Sequence, residues 1–375
     1  MKRIVIKIGS QIILNNEEEK SNGILKKLIK EIVLLKESGI DFTIVTSGAV
    51  ALAKYNLNKR NQSLSSSTSS KQALASMGQI FLMEKYSKYF NKYGLNCAQI
   101  LASKENFNSR VGYLNVRNTL EKLYDLNVVP IINENDVVST TEIEGKFFGD
   151  NDRLSAVVAN AVDADLLILF GTMDGLYSEN PEKKSTAKLI KNVKIINKEI
   201  MSYAKDSENE FGSGGMISKL EAAKICMNSG IKSVIASPYK ENIISNIINS
   251  HEIGTQFLPS SSKLESKKRW LLTGITENKG SLKIDSGAVN AITQNGASLL
   301  PVGVIELEGK FLRGDIILVK DSQDNEVAWG ITNYGSEDIK LIKGKGSENI
   351  ELSVKANHGS ELIHRNNLVI INQKK

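Results

Sequence analysis

Cysteine, histidine and long apolar runs are all scarce in this chain, and each shortage removes a class of function. Two cysteines, Cys97 and Cys226, allow neither a disulfide framework nor a paired-cysteine metal site, and they suit a reducing, cytosolic compartment. No segment approaches the run of about 18 apolar residues that a membrane-spanning helix needs. The opening MKRIVIKIGS alternates basic with β-branched residues and has no uninterrupted apolar stretch, which is not a signal-peptide pattern. A cytoplasmic protein without a membrane partner is therefore expected. The three histidines, His251, His358 and His364, have no Cys or acidic companions at ligand spacing, which argues against a zinc centre or a nucleophile–histidine pair. The phosphate-binding pattern G-x-x-x-x-G-K-[ST] occurs nowhere.

What is present is ordinary globular composition, 41% apolar and 24% charged over 375 residues, enough for a large core and more than one domain. The net charge of +6 divides unevenly. Residues 276–375 hold 12 basic and 13 acidic residues, and residues 1–275 hold 36 and 29. The first region, at +7, suits an anionic small substrate at least as well as nucleic acid.

Short Ile/Val-rich runs alternate with segments of helical period. Strands are expected at 3–8, 41–46, 97–102, 127–132, 165–170 and 231–236, with helices at 23–39, 71–90, 116–126, 153–164 and 216–230. Strands this apolar cannot face water, so the fold class is α/β, a mostly parallel sheet sandwiched by helices. QSLSSSTSS (62–70) reads as a connector. SSSKLESKKRW (260–270) reads as an interdomain linker. Beyond it GSLKID, VGVIELEG, GDIILVKD and EVAWGITNY read as strands of a small β-rich module. The expected division is a domain at 1–259, a linker at 260–275, the β-rich module at 276–350 and a C-terminal extension at 351–375.

Ligands of open α/β sheets sit at the carboxyl ends of strands, and four polar groups fall there. Lys7 precedes Gly9-Ser10, whose amides suit a phosphate, although a strand lysine often just reaches for solvent. TSGA (46–49) turns from strand to helix, and Ser47 is either an anion contact or a helix cap. NEND (133–136) and GTMDG (171–175) follow two further strands. The acid–amide clusters Glu134-Asn135-Asp136 and Asp150-Asn151-Asp152 are either surface solvation or a pocket for a small charged substrate. GSGGMISK (212–219) joins glycines to a lysine at a helix entry and suits a phosphate chain, with a flexible loop as the plain alternative.

In combination these residues are recognisable. IVIKIGS, VTSGAVA, SKQALASMGQ, NVRNTL, VVPIINENDVV, FGDNDRLSA, DGLY, GSGGMISKLEAA and KRW occur in the order seen in the glutamate 5-kinases of the amino-acid kinase family. The tail GSLKIDSGAVNAITQNGASLLPVGV resembles the PUA domain that follows the kinase domain in many bacterial members. The resemblance implies ATP-dependent phosphorylation of the γ-carboxylate of L-glutamate, with Mg²⁺, as the first step of proline biosynthesis. It implies that Ser47, Asp136 and Asn151 hold glutamate. Nucleotide is implied for Lys7, Gly9, Ser10, Gly171, Thr172, Ser213, Gly214, Gly215, Met216, Ile217, Ser218 and Lys219. Lys7 and Lys219 would neutralise the transferred charge and Asp152 would organise them. L-proline is the implied feedback inhibitor and a homo-oligomer the expected assembly. The family commonly has Thr or Ser followed by Asp where this chain has Gly171-Thr172, and TGGM where it has Ser213.

Two alternatives stand beside this reading. One is a family member acting on carbamate, aspartate or a nucleoside monophosphate, which the paired INEND and GDND clusters disfavour. The other is an RNA-binding protein working through the PUA-like module, which the net −1 of residues 276–375 disfavours, because phosphate contacts need a basic face.

Overall fold

The computed structural model describes residues 3–14, 23–58, 67–103, 106–107, 109–138, 151–205, 215–249, 253–259, 279–346, 350–354 and 356–371. The chain forms two compact units, one of residues 1–107 and 119–262, the other of 108–118 and 263–375. Residues 108–118, expected within the first domain, thus cluster with the second unit.

In the first unit the elements run β1 (Arg3–Ile8), α1 (Ser10–Leu14), α2 (Ile24–Glu37), β2 (Asp41–Thr46), α3 (Ala49–Asn58), α4 (Thr68–Asn91) and β3 (Cys97–Ala102). After α5 (Arg110–Asp125), whose residues up to 118 cluster with the second unit, come β4 (Val129–Glu134), α6 (Asn151–Ala161), β5 (Leu166–Phe170), β6 (Asn192–Val193), α7 (Lys198–Lys205) and α8 (Met216–Asn228). Then follow β7 (Lys232–Ala236), α9 (Ile243–Asn249) and β8 (Thr255–Phe257). Eight strands form one sheet in the order β3-β4-β2-β1-β5-β7-β8-β6. All neighbouring pairs are parallel except β7 with β8.

The central strands read as unbroken apolar runs because they are buried on both faces. Every residue of β5 is buried, as is every residue of β1 and β2 after the first. Each fully buried Ile or Leu contributes roughly 1.5–3 kcal/mol, and Ile4, Ile6, Ile44, Ile131 and Ile168 share one cluster with Leu28, Ile29 and Ile32 of α2. The helix α2 stops at a left-handed turn, with Gly39 at φ 84° and its N–H donating to Lys36 O at 2.9 Å.

Several expected bounds shift. The connector expected at 62–70 gives way to helix sooner: Ser67 caps α4, its hydroxyl accepting from the Ser70 N–H at 3.2 Å. The strand expected at 127–132 lies at 129–134, because β4 goes on pairing with β3 through Leu101–Asn133 and Ala102–Glu134. Helix α6 runs from Asn151, so Asn151 and Asp152 of the second acid–amide cluster lie in its first turn.

The second unit holds β9 (Gly280–Ile284), α10 (Ser286–Thr293), β10 (Val304–Gly309), β11 (Ile316–Lys320), β12 (Glu326–Ile331), α11 (Ser336–Ile342), α12 (Ile350–Ser353) and β13 (Leu368–Ile370). Its sheet order is β10-β9-β11-β12-β13. Leu362, Ile363 and Leu368 belong to its core and β13 pairs antiparallel with β12, so residues expected to form an extension complete the sheet. The expected linker, 260–275, lies outside the described residues. Among the described residues no helix is long and apolar enough to cross a membrane.

Candidate active site

Strand β1 is where the sheet order reverses. The chain moves from β1 to β2 on one side and reaches β5 on the other, and Lys7 pairs with Val45 of β2 and Leu169 of β5. The crevice beyond the carboxyl ends of such strands is where open α/β sheets bind ligands. The polypeptide leaves β1 through Gly9 into α1, leaves β2 through Ser47-Gly48 into α3, and leaves β5 at Gly171. Gly48 has φ 108°, a conformation that favours glycine.

Lys7, Asp152 and Lys219 meet there. Lys7 Nζ lies 2.7 Å from Asp152 Oδ1 and Lys219 Nζ 3.2 Å from Asp152 Oδ2. The carboxylate is fully buried and both lysines are buried. The Ser218 hydroxyl sits 2.7 Å from Asp152 Oδ2 and 2.9 Å from the Gly215 carbonyl, and its single proton serves one at a time. Burial works to raise the Asp152 carboxyl pKa, but the charges of Lys7 and Lys219, with hydrogen bonds from Lys7 and Ser218, outweigh it and hold the group below its usual range. An ion pair at this spacing is worth about 6 kcal/mol gross at an effective dielectric of about 20. Desolvation removes several kcal/mol per ion, so the trio does little for stability. Two ammonium groups against one carboxylate leave an excess positive charge in a dry place. That suits a ligand carrying concentrated negative charge.

Gly215 opens α8, and among the described residues no side chain caps that end. The first amides of this long helix thus face outward beside Met216, Ile217 and Ser218, an arrangement suited to phosphate. Gly171 is held by its N–H donating to Ala236 O at 3.0 Å. A Cβ there would come within 3.3 Å of Lys219 Cε, so glycine leaves the lysine room. Thr172 is exposed and Gly9 and Ser10 are half-buried. Ser213 and Gly214 lie outside the described residues, as does Asp150.

The expected amino-acid contacts fall on neighbouring elements. The Ser47 N–H donates to Ile8 O at 3.2 Å, and its hydroxyl donates to the same carbonyl at 3.4 Å, so in this structure it ties β2 to β1 rather than capping α3. Asp136 is half-buried in the turn after β4. Asn151 is buried in the first turn of α6. Its Nδ2 donates to Asn133 Oδ1 at 3.3 Å, while its Oδ1 is buried with no hydrogen-bond partner among the described residues. Asn133 in turn donates from Nδ2 to Gln79 Oε1 at 2.9 Å. Gln79 was missed by sequence reading, because nothing in a helical segment 54 residues away signals a contact with NEND.

Among the described residues no group of three or more His, Cys, Asp or Glu is placed to hold a metal ion. His364 accepts at Nδ1 from the Asn366 N–H, a turn contact, and the His358 N–H donates to Tyr334 Oη. His251 lies outside the described residues. Burial pushes the Cys97 thiol up to about 11 and Cys226 higher still, so neither is an activated nucleophile.

Comparison with known proteins shows the family. Residues 2–237 match the model of the amino acid kinase family, and residues 280–352 that of the PUA domain. A glutamate 5-kinase from Dehalococcoides mccartyi is 42% identical, covering 99% of this chain and 98% of its own. One from Thermoanaerobacter sp. is 41% identical, covering 98% of each. Among solved structures, carbamate kinase from Giardia lamblia bound to AMP-PNP aligns with a TM-score of 0.48 at 17% identity, over 69% of this chain and 99% of that one. By the extent of the family match and by relatives above 40% identity along nearly its whole length, the chain belongs to the amino acid kinase family, in the branch of the glutamate 5-kinases.

Proposed function

We propose that this chain transfers the γ-phosphoryl group of ATP to the γ-carboxylate of L-glutamate, giving L-glutamyl 5-phosphate, the first step of proline biosynthesis. The observation that carries it is the buried trio of Lys7, Asp152 and Lys219 at the point where the sheet order reverses. A carboxylate oxygen forms the new P–O bond as the bond to ADP breaks. The acceptor is already ionised near neutral pH, so no general base is needed. That agrees with a site whose one buried carboxylate is engaged by two lysines. What the reaction needs is charge neutralisation and in-line positioning. Lys7 and Lys219 supply the charge, and Asp152 holds them apart and in place.

The nucleotide is assigned to Lys7, Gly9, Ser10, Gly171, Thr172 and the segment from Ser213 to Lys219, with its phosphates over the uncapped start of α8. Mg²⁺, bound mainly by nucleotide oxygens and water, would add to the neutralisation. Glutamate is assigned to Ser47, Asp136 and Asn151. The unpartnered, buried Oδ1 of Asn151 is an acceptor waiting for a donor such as an ammonium group. L-proline shares the substrate's amino group and α-carboxylate and is proposed as feedback inhibitor. A cytoplasmic homo-oligomer is the proposed form of the protein.

The test is ATP consumption against a panel of amino and organic acids, with hydroxylamine present to trap an acyl phosphate as hydroxamate. Glutamate is expected to give the fastest trapping, and millimolar proline to slow it when glutamate is near its KM. Faster hydroxamate formation with aspartate or N-acetylglutamate would overturn the assignment.

A further inference from the structure

Gln79, Asn133 and Asn151 form a chain of three buried amides. Helix α4 delivers the first of them. A Cβ at Gly78 would sit 1.7 Å from the Ala49 carbonyl oxygen, so only glycine lets α4 lie this close against the first turn of α3. Strand β4 supplies the second amide and the first turn of α6 the third.

This chain of amides has two internal hydrogen bonds and two buried ends without partners among the described residues, Gln79 Nε2 and Asn151 Oδ1. An amide's oxygen and nitrogen ends have nearly the same shape. Turning all three amides over therefore keeps both internal bonds, with every donor and acceptor exchanged. Asn151 would then present an N–H donor where it now presents an oxygen. The two directions differ only at the ends, so the ends decide.

We propose that Gln79 is a positioning residue for substrate selection: by accepting from Asn133, it keeps the Asn151 carbonyl oxygen turned outward as an acceptor for the ammonium group of an amino-acid substrate. The inference rests on the assignment of Asn151 to the amino acid and extends it. If Gln79 could not accept, Asn133 Nδ2 would turn to Asn151 Oδ1 and withdraw the acceptor from the ligand. A diacid that lacks the ammonium group would not notice.

The test compares the full-length native enzyme with Gln79→Met, which keeps length without an acceptor, and Gln79→Glu, which keeps an accepting oxygen. The readouts are kcat and KM for glutamate, KM for ATP, the inhibition constant of glutarate (the same diacid without the ammonium group), and the melting temperature. Gln79→Met should raise the glutamate KM about five- to tenfold, as loss of one neutral hydrogen bond does. Its kcat should stay within about twofold, and its ATP KM and glutarate inhibition should be unchanged. Gln79→Glu should hold the glutamate KM near native even though burying an acid lowers its melting temperature. Equal weakening of glutamate and glutarate, a fall in kcat alone, or a Gln79→Glu variant as defective as Gln79→Met would overturn the proposal. If the native enzyme favours another amino acid, the glutamate assignment falls. The same measurements on that amino acid and its desamino analogue then still decide the role of Gln79.

Discussion

Strand β1 carries a cation near each end of one face, and the two ends are neutralised in opposite ways. At the start, Arg3 donates from Nη1 and Nη2 to the two Glu121 oxygens at 2.7 and 2.6 Å, with Asp41 3.9 Å away. Its guanidinium also lies 4.8 Å from the centre of the Tyr124 ring. Lys36 Nζ also lies 3.4 Å from Asp41 Oδ1, so two positive charges face two negative ones, and no positive charge is left for a ligand. At the other end, two lysines share the single carboxylate of Asp152. The first arrangement fastens the sheet to α5; the second accepts a desolvation cost and leaves positive charge over. A basic residue in a strand is therefore informative by its counter-charges rather than by its own burial.

The largest break in this comparison is removal of a lysine at the carboxyl end. Lys7→Ala or Lys219→Ala is expected to lower kcat on the order of 10²–10³ fold, the usual loss for one preorganised charge contact. Asp152→Ala should resemble them. The double variant Asp152→Ala/Lys219→Ala should lose much less than the two single effects combined, because these groups act as a unit. Steady-state kinetics of the singles and the double decide it, and independent losses would contradict the shared role.

Next comes the substrate side of the same end. Asp136→Asn should raise the glutamate KM by about tenfold or more, the scale of a hydrogen bond to a charged group, with little change in kcat. A kcat defect with normal KM would place Asp136 in the chemistry instead.

A milder disturbance is Gly171→Ser, which brings a Cβ to 3.3 Å from Lys219 Cε. The lysine must give by a few tenths of an ångström, and positioning errors of that size are expected to lower kcat by roughly threefold to tenfold without altering the glutamate KM. Unchanged kcat would mean that Lys219 tolerates displacement.

The smallest kinetic effect belongs to the opposite end of the strand. Arg3→Leu or Glu121→Gln should leave kcat and both KM values within about twofold. Thermal unfolding should fall by about 2–4 °C, corresponding to about 1 kcal/mol for a partly covered pair. A large kinetic loss in either variant would erase the distinction between the two ends.

Sequence periodicity located β1, β2 and β3 to the residue, since strands buried on both faces appear as unbroken apolar runs. In the first unit it missed α1, α7, α9, β6 and β8, all short, and it gave α3 only as the helix that TSGA turns into, without bounds. It also ended β4 before Asn133 and Glu134, because polar residues at a strand end resemble a loop until the partner strand is known. Composition cannot separate the cap Ser67 from the serine-rich connector before it, because an N-cap and a serine-rich loop share their residues.

The sequence by itself determined the alternating α/β pattern, the β-rich second unit and the residue types near the strand ends, including Lys7, Asp152 and Lys219. These follow from local periodicity and from motif order, which survive in one dimension. The motif order also implied that Asp152 organises the two lysines; only the tertiary structure decided that all three are buried at ion-pair distance, that Gly171 leaves room for one of them, and that Gln79 reaches Asn133. Each of those facts depends on which strands are neighbours at the reversal of the sheet and on how closely α4 approaches α3. The physical reason is that charge balance and hydrogen-bond direction in a buried site are set by groups far apart along the chain, which the packed sheet and helices bring within 2.7–3.3 Å of one another.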